Sequence, residues 1–488
     1  MLLLKRFFFI PCLFFFNFLL AQNYQAINGS SYAGSLAPSS NPASIVHVPY
    51  AWDMTPFSVQ VKQSTNAYIL KNLSLLSSPN NAEILADNGT KKRFQYANQD
   101  IRLLNTRISL NSKAAIAFGV NIRNYIYATT SRANFQDTMF SMADFMKINS
   151  DHLPFSAEAI GSTWAELYAS YAQTIIDDGD KLLNAGVTLK LNRAVAGFYG
   201  LAEGLSYTPT VLSGIPAYLL AKGNLQYGYS ANIDAVNSNN TGAANRKAFL
   251  DNTTTGVSID MGLEYIRLTE EDKDEGGDFA YETKIGISMM DVGRNNFKYG
   301  SRSRSVSGVK AGVTDTVLDN KFLVVESFDQ FNDSLATIAA SFGKLSGEFN
   351  IYQPARIVIN VDQHILHNVF LNTELTIPIV PLVPKKLRYI KNINLLALTP
   401  RWELKSVGAY MPITVNTRGQ VWIGGAFKAG PILMGTHNLS NLFGKNKMQT
   451  GGFYLALTIR PGKKYERQAH YPKDRLSNKN RQSYDCPE

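Results

Sequence analysis

Apolar and polar positions alternate along this chain with a period of two. In Gly256 to Arg267, Val257, Ile259, Met261, Leu263 and Tyr265 are apolar, while Ser258, Asp260, Gly262 and Glu264 between them are small or charged. That period predicts a β-strand with one apolar and one polar face. The same pattern recurs in Ala115 to Tyr127, Leu182 to Asn192, Leu225 to Asp234 and the closing stretch Phe453 to Arg460. Further strands are expected over Phe57 to Ile69, Ile101 to Asn111, Thr163 to Ile175, Tyr281 to Gly293, Arg356 to Asp362, Val369 to Ile377, Leu395 to Val407, Tyr410 to Asn416 and Gln420 to His437. With allowance for split segments, the pattern predicts about 14 strands, within a range of 12 to 16. Parity alone leaves two folds open. A soluble sandwich turns the apolar face inward, and a membrane barrel turns it outward to lipid.

The N-terminus selects the barrel. Lys5 and Arg6 precede an apolar run from Phe7 to Leu20, and Ala21 follows. A signal peptide over residues 1–21 is expected, because the run is shorter than the ~20 residues of a spanning helix. The mature chain then keeps one cysteine, Cys486, which has no internal disulfide partner. No later apolar run approaches a helical span, whereas a membrane strand needs only ~10 residues, half of them apolar. The fold class expected is therefore all-β, a single antiparallel transmembrane β-barrel. Residues 22–50, broken by Gly29, Gly34, Pro38, Pro42 and Pro49, would form an irregular N-terminal hatch. The barrel would occupy 51–462, and 463–488 a polar, basic tail on the periplasmic side.

Composition refines this picture. The 24 Tyr and 27 Phe suit the aromatic girdles of a barrel. A net charge of +10, or +8 once Lys5 and Arg6 are removed, is modest for this length and gives no case for nucleic acid. Unequal connections fit short turns on one rim and long loops on the other. Thr130 to Gly161 carries Met139, Phe140, Met142, Phe145 and Met146, Tyr207 to Ala221 is broken by Pro209, Gly214 and Pro216, and Gly308 to Gly347 holds a short helix from Phe328 to Phe342.

Short motifs carry a family resemblance. Gly29 to Ala43, with Asn41-Pro42-Ala43 ahead of the first strand, resembles the hatch of FadL-type outer-membrane barrels. The strand pair Gly256 to Tyr265 and Tyr281 to Gly293, ending Met290-Asp291-Val292-Gly293, looks like the same group. So do Pro400-Arg401-Trp402-Glu403, Tyr410-Met411-Pro412, Ala429-Gly430-Pro431 and Leu439 to Phe443, which are similar to a family of uncharacterised exported barrels of Gram-negative bacteria. That family is related in fold to fatty-acid transporters and to PorV-like barrels of the type 9 secretion system. The resemblance implies a 14-stranded outer-membrane conduit for small hydrophobic compounds, gated at Asn41, Pro42 and Ala43. The alternative is a non-conducting scaffold that binds other envelope or secretion-system proteins.

The polar parity supplies the residues expected to face the lumen: Lys190, Asp234, Asp260, Glu264, Lys284, Asp362, Glu374, Glu403, Lys405 and Arg460. Charges of both signs facing one lumen predict ion-paired ladders or a wet channel. A continuous apolar pocket under the loops would favour transport, and a dense charged core the scaffold. No catalytic constellation of serine, histidine and orienting group can be assembled. His364 and His367, three apart on a strand, point to opposite faces and do not suit a shared metal. The acidic stretch Glu270 to Asp278 lacks the ligand order of a calcium loop and reads as a solvated hairpin. No cofactor is implied. The partners expected are the lipid bilayer, a small hydrophobic ligand and envelope proteins.

Overall fold

The computed structural model describes residues 26–74, 82–137, 139, 141–237, 239–269, 281–379, 388–443 and 447–461. The expected signal peptide, the acidic stretch Glu270 to Asp278 and the tail 463–488 lie outside the described residues.

Fourteen antiparallel staves close into a ring. They are β1 Trp52–Thr65, β2 Gly89–Asn111, β3 Ala114–Phe135, β4 Phe155–Asp177 and β5 Lys181–Leu212, then β6 Thr254–Leu268, β7 Tyr281–Lys298, β8 Arg356–Leu366, β9 Val369–Pro378 and β10 Leu395–Glu403. The last four are interrupted or short: β11 is Val407–Tyr410 continued by Ile413–Asn416, β12 Val421–Ile423 continued by Gly425–Ala429, β13 Ile432–Thr436, and β14 Thr450–Gly451 continued by Phe453–Ile459. Each stave pairs with the next, and β1 pairs with β14 to close the ring, Ser58 opposite Ala456. Closure leaves the ring itself without an exposed edge.

The orientation of the strands identifies their solvent. On β6, Val257 is 72% exposed, and Met261 and Leu263 are also exposed, while Ser258, Asp260 and Glu264 are buried. On β5, Leu189 is 63% exposed and Thr188 1%. Phe118, Ile122, Leu167, Ile285, Ile287, Leu396, Leu398, Phe427 and Leu457 extend the exposed apolar surface around the wall. A barrel with polar residues inside and an aliphatic belt outside is built for lipid. Among the described residues no helix is long and apolar enough to cross a membrane.

The two rims differ. Ser112-Lys113, Asp178 to Asp180, His367-Asn368, Leu404 to Ser406 and Gly430-Pro431 make short connections at one rim, the turn end, where Trp52 and Ile459 also lie. At the other, the loop end, strands run far beyond any bilayer. β5 has 32 residues, about 105 Å at ~3.3 Å per residue, whereas ~9–11 residues cross the membrane. Its first half pairs with β6 and its second half with the strand Ile215–Tyr229. That strand pairs with Arg304–Val309, which pairs with Ala339–Lys344. Helices α1 Met142–Asn149, α2 Gly242–Asp251, α3 Asp315–Phe322 and α4 Phe328–Ile338 belong to the long connections.

Three expectations change here. Tyr207 to Ala221 is a β-hairpin and not a loop: Ser213 and Gly214 take positive φ of 50° and 80° at its two-residue turn, and Pro209 and Pro216 sit within its strands. The strand expected over Leu225 to Asp234 ends at Tyr229, because Ala231–Ile233 turn into a short 3-10 helix. The aromatic residues counted toward girdles are largely inside. Trp52, Phe57, Phe118, Tyr171, Trp402 and Phe427 are exposed, but Phe94, Tyr96, Tyr125, Tyr127, Trp164, Tyr199, Phe297, Phe349 and Trp422 form a buried cluster.

Candidate functional site

The lumen is filled in layers. Residues 26–50 lie inside the wall at the turn end, where Ala26, Ile27, Leu36, Ile45 and Val46 pack against Ala115, Ala117, Tyr168, Tyr410, Leu433 and Tyr454. This segment has few strand or helix hydrogen bonds of its own, so its carbonyls need other donors. Charged side chains of the wall provide them. Arg107 donates to Ile45 O at 2.7 Å and to Tyr50 O, Arg356 to Ser39 O at 3.2 Å, Arg401 to Asn28 O at 3.4 Å and Arg460 to Tyr32 O at 2.7 Å. Lys284 donates to Ser31 Oγ at 2.6 Å and Gly29 O at 3.5 Å. Side chains of the segment return the contact: Asn28 donates to Glu374, Ser30 to Glu403 and Ser44 to Glu264, each at 2.6 Å.

Asn41, Pro42 and Ala43 occupy a seat in the wall. The Asn41 side chain accepts from Ala43 N–H at 2.9 Å and caps a 3-10 turn over Pro42–Ile45, with Pro42 at a first position where no N–H is needed. Asn41 Nδ2 donates to Leu263 O at 2.9 Å. Gly186 and Gly262, paired across β5 and β6, face this turn. A Cβ on Gly262 would overlap Asn41 Oδ1, and one on Gly186 would stand 2.5 Å from Ala43 N. The seat therefore requires residues without side chains on the inner face.

Two ion-pair clusters stand above and beside this segment. In the first, Asp362 pairs with Arg401 and accepts from Asn372 at 2.9 Å and Tyr281 Oη at 3.1 Å. Glu403 takes Lys428 at 3.0 Å, Arg401 at 3.3 Å and Tyr410 Oη at 2.6 Å. In the second, Asp291 pairs with Arg123, Lys190 and Arg356, the lysine at 2.7 Å, and its backbone N–H donates to Asp260 at 2.6 Å. Lys190 also meets Asp260 at 2.7 Å, and Arg123 meets Asp100 at 2.9 Å and Glu166 at 3.6 Å. Between this cluster and Ser35, Pro38 and Ser39 lies a polar cavity of about 30 Å³, room for about one or two waters. A second, of about 10 Å³, lies beside Asn41, Ser44 and Glu264.

Toward the loop end the filling becomes apolar. The aromatic cluster is joined by Ile390 and Ile393 from the connection between β9 and β10. That connection is latched by Lys391 to Glu158 at 2.6 Å and by Arg388 to Tyr199 Oη at 3.0 Å. Above it Met139, Phe145, Met146, Tyr207, Tyr227, Val306, Phe322 and Leu335 form a cap beneath α1, α3 and α4. Ser141 and Asp144 form a capping box at the start of α1, and Met142 N–H donates to Asp319 at 3.0 Å. Burial raises the Asp319 carboxyl above the usual range against that hydrogen bond.

Of the charged residues taken from parity, Lys190, Asp260, Glu264, Lys284, Asp362, Glu374 and Glu403 are buried inside the wall, divided among these clusters and the N-terminal segment. Arg460 lies just past β14, half-buried at the turn end. Asp234 and Lys405 are corrections. Asp234 follows the strand end, is exposed, and meets Tyr229 Oη at 2.6 Å and Arg302 at 3.5 Å. Lys405 falls in the exposed turn Leu404 to Ser406, where the chain has left the wall. Arg107, Arg123, Arg356, Arg401 and Lys428 were not among the charges expected in the lumen, although all five are buried inside the wall. Asp291 was hidden by a bulge: the β6–β7 register shifts between Met289 and Val292, Asp291 takes φ 58°, and Met290 and Asp291 both turn inward.

The model of a family of unknown function, DUF5723, matches residues 42–437. No curated protein matches. Among solved structures, the toluene transporter TbuX of Ralstonia pickettii is 9% identical, with 88% of this chain and 94% of that one covered and a TM-score of 0.37. A deltaS2S3 mutant of TodX, a monoaromatic hydrocarbon channel, is 10% identical over 90% and 98%, with a TM-score of 0.40. A FadL homologue of Pseudomonas aeruginosa is 10% identical over 90% and 98%, with a TM-score of 0.37. Likenesses this low transfer neither ligand nor mechanism.

Proposed function

We propose that this chain, which belongs to the family of unknown function DUF5723, is an outer-membrane β-barrel closed by its own N-terminal segment, and that the closed, charge-filled lumen makes it a scaffold for other envelope proteins. The observation that carries this reading is the capture of residues 28–50 by Arg107, Lys284, Arg356, Arg401 and Arg460, whose cations bond its backbone and side chains. Hydrogen bonds to charged groups contribute about 1.5–3 kcal/mol each, so a segment held by several is not displaced by thermal motion. The aliphatic belt and the expected signal peptide support the outer membrane as its location. Long strands and helices at the loop end offer an ordered surface to partners such as secretion-system proteins.

A second reading is favoured by the apolar cap. Met139, Phe145, Met146, Tyr207 and Phe322 gather under the loop helices, where a small hydrophobic compound would enter a FadL-like conduit, and withdrawal of Asn41, Pro42 and Ala43 from their seat would open the far end. Deletion of Asn28 to Ala43 separates the two. A scaffold loses thermal stability and stays non-conducting in planar bilayers, since the segment is core. A conduit stays folded and conducts, or takes up small solutes, because a plug has gone. No change in either property would leave the segment a disordered leader and sink both readings.

A further inference from the structure

The seam where β1 meets β14 holds polar side chains that the N-terminal segment does not use. Gln60 and Lys62 share the inner face of β1, about 7 Å apart, and are 0% and 6% exposed. Lys62 Nζ, both amide atoms of Gln60 and both ring nitrogens of His437 are buried with no hydrogen-bond partner among the described residues. Several contacts bring the three together. Gln60 stands opposite Tyr454 across the seam, and the Tyr454 ring centroid is 5.1 Å from that of His437. The His437 backbone N–H donates to Gly452 O at 2.9 Å. Gly452, at φ 139°, is pressed so closely on the backbone of Val61 and Lys62 that a Cβ there would overlap Val61 O. The Trp422 ring centroid lies 5.5 Å from Lys62 Nζ.

Five other buried cations of the lumen supply the contrast, and a sixth, Lys284, has Ser31 Oγ and Gly29 O as acceptors. Arg123, Lys190, Arg356, Arg401 and Lys428 each have a carboxylate within ion-pair distance. Lys62 has none among the described residues. Glu374 is the carboxylate whose field reaches it, from beyond that distance, and Asn28 holds one of its oxygens. A buried charge needs a counter-charge, and buried donors need acceptors. Here an ammonium, an amide N–H₂ and an imidazole lie along one seam, linked through Tyr454 and Gly452, and none of their side-chain polar atoms has a protein partner among the described residues.

We propose that Lys62, Gln60 and His437 form a binding site for a small monovalent anion, a carboxylate or a halide, seated against Trp422. One cation in the site matches one negative charge, which disfavours sulfate and phosphate dianions. The Gln60 carbonyl and the second His437 nitrogen accept from a companion water.

Bromide is the probe, used on crystals of the full-length barrel in detergent. An anomalous peak beside Lys62 Nζ is expected, it should weaken when acetate is added, and it should vanish in Lys62→Met, where a chain of similar length carries no charge. Should Lys62→Met not assemble, Gln60→Leu must still reduce the bromide occupancy at this point. The proposal is overturned by bromide peaks elsewhere with only water here, or by a peak that survives unchanged in Lys62→Met or Gln60→Leu.

Discussion

The two halves of the lumen are filled by opposite chemistry on the same strands. On β2, Arg107, Arg102 and Asp100 are buried toward the turn end and Tyr96 and Phe94 toward the loop end. On β3 the change falls between Arg123 and Tyr125, on β4 between Glu166 and Trp164, and on β7 between Asn295 and Phe297. On β3, β4 and β7 the switch falls within two residues, and it marks a boundary height in the lumen. Below that height the wall surrounds a piece of irregular backbone, whose polar groups must be met by polar groups. Above it the wall surrounds mainly side chains, and aromatic rings pack that space without needing donors. The content of the lumen thus dictates the inner face of the wall, as lipid dictates the outer one.

Four substitutions test this contrast. The largest effect is expected from Asp291→Ala, which leaves Arg123, Lys190 and Arg356 buried around a missing anion. Breaking a buried ion pair in this way costs about 3–5 kcal/mol, read as a lower urea midpoint of the folded barrel. A loss below about 1 kcal/mol, by the same measure, would mean the cluster is wet and the halves are less distinct than described.

Leu189→Arg follows, at about 2–4 kcal/mol if the residue lies at the bilayer midplane. From parity alone, Thr188→Arg should be milder, as a lumen substitution. The packing reverses that expectation: Thr188 is bonded to Ser170 at 2.7 Å and borders the small cavity beside Lys190, so an added cation has neither room nor a free carboxylate. Refolding yields into lipid should fall comparably for both variants, and a harmless Thr188→Arg would show the lumen to be open.

Gly262→Ala is expected to cost about 1–3 kcal/mol through overpacking at the Asn41 turn. Its signature is specific to the turn end: protease should reach residues 26–50 while the barrel still shows heat-modifiable migration. If that segment stays protected, the seat is not what holds it. The smallest change is Tyr199→Phe at the loop end, which removes a hydroxyl bonded to Tyr299 at 2.9 Å and Arg388 at 3.0 Å. A net loss of about 0.5–1.5 kcal/mol is expected, with faster hydrogen exchange above the aromatic cluster and none below it. Exchange that spreads to Lys190 and Asp260 would show the halves to be one cooperative unit.

The same contrast explains what could be read from the sequence. The alternation in Leu182 to Asn192 and Gly256 to Arg267 is clear because those stretches lie between lipid and a polar lumen. The pattern fades in Gly89 to Asp100, which extends the strand expected over Ile101 to Asn111, and in Val195 to Leu212, which extends the one over Leu182 to Asn192. There the outward face has left the lipid and carries Lys92 and Glu203, exposed, while Phe94, Tyr96, Tyr199 and Tyr207 point inward. The parity is inverted at the loop end, so strands appeared to stop where only their surroundings changed. Asp234 was misplaced for a related reason, since alternation continues past the last residue that pairs. Asp291 was invisible because a bulge breaks the count on which parity depends. The glycines of the Asn41 seat were visible as small residues, but only a paired β5 and β6 gives them a purpose.

The bond from Asn28 to Glu374 spans 346 residues of sequence and that from Ser30 to Glu403 spans 373. The residues that fill the lumen are made before any of the wall, and their partners on β6 to β10 are made long afterwards. The ring closes only when β14, the last strand, finds β1. Contacts of such long range make folding slow, and the bonds of the segment are complete only once β6 to β10 stand around it. A wall that forms around its own filling meets these bonds as each strand arrives, with the segment serving as a mandrel. On that account, a variant that loosens the N-terminal residues should delay closure of the seam even where the completed barrel tolerates the change.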